Sequence, residues 1–274
     1  MGGNRRSERY VAAVLLLTFC SLLSAAPPSD AVLAATLARF NASAHTPLPV
    51  LSARQREELR AGEVVKLLER TGDGETWRVA GFMMTENSQQ AMWLATQDLH
   101  FTSQDEAIEA PISLSPNRSR WYALLDLPAP VRDRHWVIDI WDNIPLADVS
   151  DGMFWEHRWE LVADGEAQAR SVIASGAVNG LDIKTFDAAI YTPVNLGGWV
   201  FLAFPGGGSL LVYDVTSVVG GGIPDRLVAE YVRSGIERYF RLLEVRARDE
   251  VPGHYRSGHE PVIGADGKPV PFYP

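Results

Sequence analysis

Cysteine is almost missing from the 274 residues, and Cys20 is the only one. It lies in an apolar N-terminal run. The rest of the chain therefore has no disulfide, no paired-cysteine zinc site and no thiol chemistry. Basic charge is also scarce, with 25 Lys and Arg against 34 Asp and Glu and a net charge of −9. Nucleic-acid binding needs a basic face that neutralises phosphates, and this balance argues against it. It argues equally against strong electrostatic docking on anionic lipid. Long hydrophobic runs are lacking too. The stretch from Val11 to Leu23 is almost wholly apolar, yet it falls short of the roughly 20 residues a membrane-spanning helix needs. Internal repeats are absent. What is present is globular composition, 46% hydrophobic and 22% charged. The chain is long enough to bury a sizeable core without staples.

The first 26 residues stand apart. Arg5, Arg6 and Arg9 precede the apolar run, and Ser24, Ala25 and Ala26 follow it. This tripartite order reads as a secretory signal peptide over residues 1–26, which implies export to the periplasm or the exterior. An uncleaved N-terminal membrane anchor is the alternative. Glu8 stands where a twin-arginine signal would have an apolar residue, and Phe19 before Cys20 is too large for a lipoprotein signal. Removing the first 25 residues takes three Arg and one Glu, leaving 22 basic against 33 acidic residues and a net charge of −11. Such a charge serves solubility.

Three further regions are expected. Residues 27–61 read as an N-terminal helical segment, with one apolar face from Val32 to Phe40 and an N-cap at Ser52. Residues 62–248 read as one α+β domain. Its strands are expected at 63–70 and 75–84, joined by a Gly-rich turn, and later at 121–127, 135–141, 154–162, 171–175, 187–192, 199–204 and 209–217. A helix capped by Asn87 or Ser88 is predicted up to Asp98, and a loop over 103–116. A long amphipathic helix follows Pro224, with Leu227, Val228, Tyr231, Val232, Ile236, Tyr239 and Phe240 in its apolar stripe. Residues 249–274 read as an extended Pro/Gly-rich tail. The architecture implied is a mostly antiparallel sheet with the long helix laid across it.

Catalytic motifs are thin. No His-Glu-x-x-His, nucleophile elbow or Walker lysine occurs. His157, in Trp155-Glu156-His157-Arg158-Trp159, sits in strand-like alternation, where Glu156 and Arg158 share a face and read as a salt pair. Asp133-Arg134-His135 places an acid near an imidazole, but Asp133 is not expected to orient His135 readily, and catalysis there stays an alternative. The residues call for no cofactor and no metal. A binder is favoured over a catalyst.

Three segments in order resemble the START domains, the lipid-transfer domains related to the steroidogenic acute regulatory protein. Pro130-Val131-Arg132-Asp133-Arg134-His135-Trp136-Val137 is similar to that family's Pro-x-x-x-Arg-Asp-aromatic-Val stretch, with His135 in place of the usual Asp. The run from Leu211 to Pro224 looks like the final strand passing into Gly-x-Ile-Pro. The amphipathic helix after Pro224 resembles the helix that packs over the family's cavity. The resemblance covers roughly residues 63–248. It implies a helix-grip fold, a curved and mostly antiparallel sheet wrapped around a long C-terminal helix, with a pocket between them. A fold does not name a ligand.

Read for such a pocket, alternation puts Trp136, Ile138 and Ile140 on one face, expected to look inward, with Asp139 on the other, expected to meet water. Tyr122 and Leu124 are expected to join the inward face, as are Leu227, Val228 and Tyr231 from the helix. Tyr122, Tyr213 and Arg134 are the polar candidates for orienting a ligand, Arg134 serving equally well as a structural clamp on the turn. An apolar stripe alone describes a solid core as readily, and only the resemblance implies a cavity. The expected partner is one apolar small molecule such as a lipid, sterol, isoprenoid or polyketide. Transient membrane contact and oligomeric state stay open. A cyclase- or aromatase-like enzyme, with His135 or Asp142 as titratable group, and an interaction protein with a filled cavity are the alternatives.

Overall fold

A computed structural model describes residues 27–270 except 73, 75, 99, 102–106, 116–117, 128–129, 177, 179–180 and 257–260. Residues 1–26, which read as a signal peptide in sequence, lie outside the described residues. Local chemistry sets the first helices. Ser29 caps α1 (Asp30–Asn41), its hydroxyl accepting from the Val32 N–H. Ser52 and Gln55 form a capping box on α2 (Ala53–Arg60), and Ser88 caps α3 (Gln89–Gln97). Each hydroxyl satisfies a donor that the first helical turn leaves without an intrahelical partner.

Among the described residues, nine strands form one sheet: β1 (Val65–Arg70), β2 (Trp77–Thr85), β3 (Ala107–Ser115), β4 (Arg118–Leu125), β5 (Arg134–Asp142), β6 (Phe154–Leu161), β7 (Ile190–Tyr191), β8 (Val194–Ala203) and β9 (Ser209–Val218). Their order is β1-β2-β9-β8-β6-β5-β4-β3, and the short β7 pairs in parallel with β5. All other pairings are antiparallel. The inner face of the sheet carries α3 and the long α7 (Asp225–Val245), with Met83, Trp155, Phe201, Leu211, Ile236 and Phe240 in the core between them. The outer face is covered at one end by α1 and α2, which pack on Phe82, Phe154, Leu202 and Val212. At its other end lie α5 (Gly165–Ala174) and α6 (Ile183–Ala188), which pack on Tyr122, Leu124 and Val137. The result is the expected helix-grip architecture.

Several elements differ from the expectation. Residues 107–115 are not loop but the edge strand β3, with Pro111 at a bulge. An edge strand needs partners on one side only, so it tolerates the proline and polar residues that read as loop. The segment 171–175 is helical, because Ala169 and Ile173 are buried four places apart. Residues 183–188 form α6, capped by Asp182, before the two-residue β7. Helix α4 (Ile144–Val149), capped by Asn143, was not anticipated. The described part of the tail is not extended throughout either. The helical path continues from α7 through a π-helical turn, Arg246–Glu250, into α8 (Val251–Tyr255). Ile263 and Pro269 then form an antiparallel bridge. Val251, Tyr255, Ala265 and Val270 are buried in the inner core, and the Trp93 indole N–H donates to the Ile263 carbonyl at 3.1 Å.

Candidate ligand-binding site

Between α7 and the inner face of the sheet lies a cavity of about 770 Å³, open on one side. Its floor is aromatic. Trp159 of β6, Trp199 of β8 and Tyr213 of β9 are cross-strand neighbours. The Trp199 and Tyr213 rings are 4.6 Å apart, and Trp159 is 5.9 Å from Tyr213. Trp159 lies flat because residue 197 is glycine: a Cβ there would stand 2.4 Å from the indole ring. The indole N–H of Trp159 donates to Asn195 Oδ1 at 3.0 Å, which fixes the ring's direction. The roof is α7, which contributes Tyr231, Val232, Gly235, Ile236 and Tyr239 together with the polar Ser234 and Arg238. Burial raises the Tyr213 phenol above its ordinary range, and Tyr239 likewise, so both stay neutral hydroxyls at physiological pH. Flat rings beside the hydroxyls of Tyr213, Tyr239 and Ser234 and the Arg238 guanidinium suit a ligand with an apolar body held by area burial and a few polar contacts that orient it.

Trp136, Ile138 and Ile140 stand on this inner face and are half-buried. Ile140 pairs with Trp159 and Ile138 with Leu161. They extend the apolar surface beyond the floor toward β4. Tyr122 and Leu124 do not join them. Their register partners are Val137 and His135, which places them on the outer face, fully buried beneath α5 and α6. Trp121 and Ala123 take the inner positions. A strand's side chains alternate, so a register one residue away from the assumed one exchanges the two faces. Tyr231 lines the cavity and is 80% exposed, at its open rim. Leu227 is exposed and Val228 half-buried, and neither reaches the cavity wall.

Arg134 is a clamp. Buried at the start of β5, it donates to the carbonyls of Val219 at 2.7 Å and Gly220 at 3.1 Å, and also to that of Arg132. It thereby ties β5 to the turn before α7. Gly220, Gly221 and Gly222 all have positive φ, and a Cβ on Gly221 would meet the Arg134 guanidinium at 2.7 Å. Asp139 does not meet water. It is buried on the outer face between Arg120 at 2.6 Å and Arg118 at 2.8 Å. The hydrogen bond from Arg120 holds its carboxyl below the ordinary range.

His135 also lies on the outer face, packed edge-on against Phe186 at 4.5 Å. Burial pushes it down to about 4, so it is a neutral core residue. Asp142 is at the opposite end of β5, on the inner face, and Asp142 Oδ1 is 2.7 Å from His157 Nδ1. Glu156 and Arg158 share the outer face, 4.0 Å apart. Glu156 accepts chiefly from the His45 N–H and Asn143, while Arg158 reaches Asp214 at 3.3 Å. Sequence reasoning missed Trp159, Trp199 and Ile236 as cavity residues. The alternation in Trp155-Glu156-His157-Arg158-Trp159 carried the signal for Trp159, since a charged outer pair leaves both tryptophans facing inward.

The sequence matches no protein-family model and no curated protein. Solved structures do match. Human STARD10 superposes with a TM-score of 0.53 at 10% identity, over 77% of this chain and 85% of that one. Human StAR-related lipid transfer protein 5 superposes with a TM-score of 0.50 at 13% identity, over 68% of this chain and 81% of that one. The chain has a START-like fold. In this START-like fold, α7 is the gripped helix, and it roofs the aromatic floor of the sheet.

Proposed function

We propose that this protein binds one apolar small molecule between α7 and the sheet, as an exported carrier rather than a catalyst. The observation that carries the reading is the aromatic cavity itself. Its volume suits a sterol, acyl chain, isoprenoid or polyketide. Burying such a ligand contributes about 0.8 kcal/mol per methylene removed from water. The lipid-transfer name of one structural neighbour is consistent with this reading. Export rests on the N-terminal sequence alone, and N-terminal sequencing of the protein from its host tests it by locating a new terminus near residue 26.

Native mass spectrometry of the protein purified from its own host, with organic extraction of bound material, tests the carrier reading. A stoichiometric apolar ligand is the expected result. An empty protein that also takes up no sterol, fatty acid or polyketide from a panel overturns it.

A further inference from the structure

An ionisable pair is set into the inner face of the sheet beside the aromatic floor, while Arg238 of α7 lines the cavity itself. His157 and Asp142 are cross-strand partners on β6 and β5. The pair is largely buried, with side-chain exposures of 16% and 22%. In the neutral ring, Nδ1–H donates to the carboxylate, which leaves Nε2 as a lone-pair acceptor. The Trp93 ring stands edge-on to the imidazole at 5.5 Å and restrains its rotation. Nε2 has no hydrogen-bond partner among the described residues, and it is not sealed from solvent. His157 is also the direct cross-strand partner of Trp199, a floor residue of the cavity, so the pair stands beside the lining. Removing an Asp–His pair from bulk water costs free energy, and a fold that needed only packing would place apolar residues here.

We infer that Asp142 and His157 form a polar anchor at the cavity margin, and that the ligand presents a hydroxyl group to His157 Nε2. The inference rests on the carrier reading and narrows it to alcohols and phenols among apolar molecules. Asp142 acts as a positioning residue: its carboxylate selects the tautomer and strengthens Nε2 as an acceptor. A hydroxyl that enters an aromatic cavity without a partner loses its hydration uncompensated, so one acceptor in the right place discriminates between ligands of equal shape.

The test compares 2-naphthol with 2-methylnaphthalene, two probes of nearly equal shape that differ in hydroxyl against methyl, by calorimetric titration of the purified protein. The quantity read is the ratio of their dissociation constants. His157→Phe is expected to shift that ratio about tenfold against 2-naphthol, the size of one well-made hydrogen bond. His157→Gln, which keeps an acceptor, is expected to restore most of it. A ratio unchanged in His157→Phe overturns the inference while leaving the carrier reading intact. Failure of both probes to bind the unsubstituted protein overturns the carrier reading, and the inference with it. Should His157→Phe not fold, the histidine ring nitrogens followed by NMR in the unsubstituted protein decide the question. Nε2 is expected to shift with 2-naphthol and not with 2-methylnaphthalene, and equal responses overturn the anchor.

Discussion

Gly81 and Ile236 meet with no space for a side chain between them: a Cβ on Gly81 would stand 2.4 Å from Ile236 Cγ2 and 3.3 Å from the Phe240 ring. The long helix therefore rests directly on the backbone of β2, and its distance from the sheet, which sets the height of the cavity, depends on residue 81. Gly81→Val is expected to force the helix outward. The cost is about 1–3 kcal/mol, as overpacking of a tight core usually is. Denaturant unfolding monitored by tryptophan fluorescence reads it. A change below about 0.5 kcal/mol would mean that α7 does not bear on this strand.

His135 supplies a pH-dependent contribution to stability. Burial lowers its folded pKa from 6.5 to about 4. Between these values the unfolded chain binds more protons than the folded one, so stability rises with pH. The contribution is complete above about pH 6.5 and is lost as pH falls toward 4, amounting to about 3 kcal/mol across the window. His135→Leu is expected to flatten that slope. Urea denaturation from pH 4 to 7.5 measures it, and an unchanged slope would show that another group titrates there.

Asp139 acts in a lower window. Its carboxyl is held below the ordinary range, chiefly by the Arg120 hydrogen bond. The stability it contributes is fully present above the unfolded pKa of about 4 and is lost as pH falls through the folded one. Asp139→Asn is expected to destabilise the fold by about 1–2 kcal/mol at neutral pH, discounted because Arg118 is half exposed. It should also make the acid limb below pH 4 shallower. Thermal unfolding of the two proteins at pH 3 and pH 7 checks both effects. Equal losses at the two pH values would show that the ion pair is not the source.

Asp139 also marks where the sequence stopped being informative. Alternation along β5 was legible, and Trp136, Ile138 and Ile140 do share a face. Which neighbour each residue meets was not, because register depends on the partner strand and on turns whose length the local pattern does not reveal. Hence alternation alone sets Tyr122 and Leu124 on the face opposite to the one they occupy. Asp139 was expected in water because nothing local announced that Arg118, Arg120 and α5 would cover it. The strand-to-helix passage from Leu211 through Gly220 to α7 was read well, since its glycines and Pro224 are local signals. The edge strand β3 and helices α4 to α6 were not, since short elements held by tertiary contacts carry weak propensity. The cavity needed both helix and sheet in place, which a one-dimensional pattern does not supply.

Gly235 lies in the middle of α7 and faces the cavity, and a Cβ built on it meets no atom within 4 Å. Glycine inside a helix costs up to about 1 kcal/mol relative to alanine. Since nothing in the protein crowds the position, Gly235→Ala is expected to raise stability by about 0.5–1 kcal/mol. Gly235→Phe places a ring in the open space above Trp159 and Tyr213. It is expected to leave the fold intact and to weaken apolar-ligand binding at least tenfold by occupying the volume. An unfolding midpoint of Gly235→Phe close to that of the unsubstituted protein separates loss of binding from loss of fold. Thermal unfolding and probe titration of the two variants, side by side, read both. If Gly235→Phe binds as well as the unsubstituted protein, the ligand sits elsewhere on the inner face, with Trp136, Ile138 and Ile140 the next surface to block.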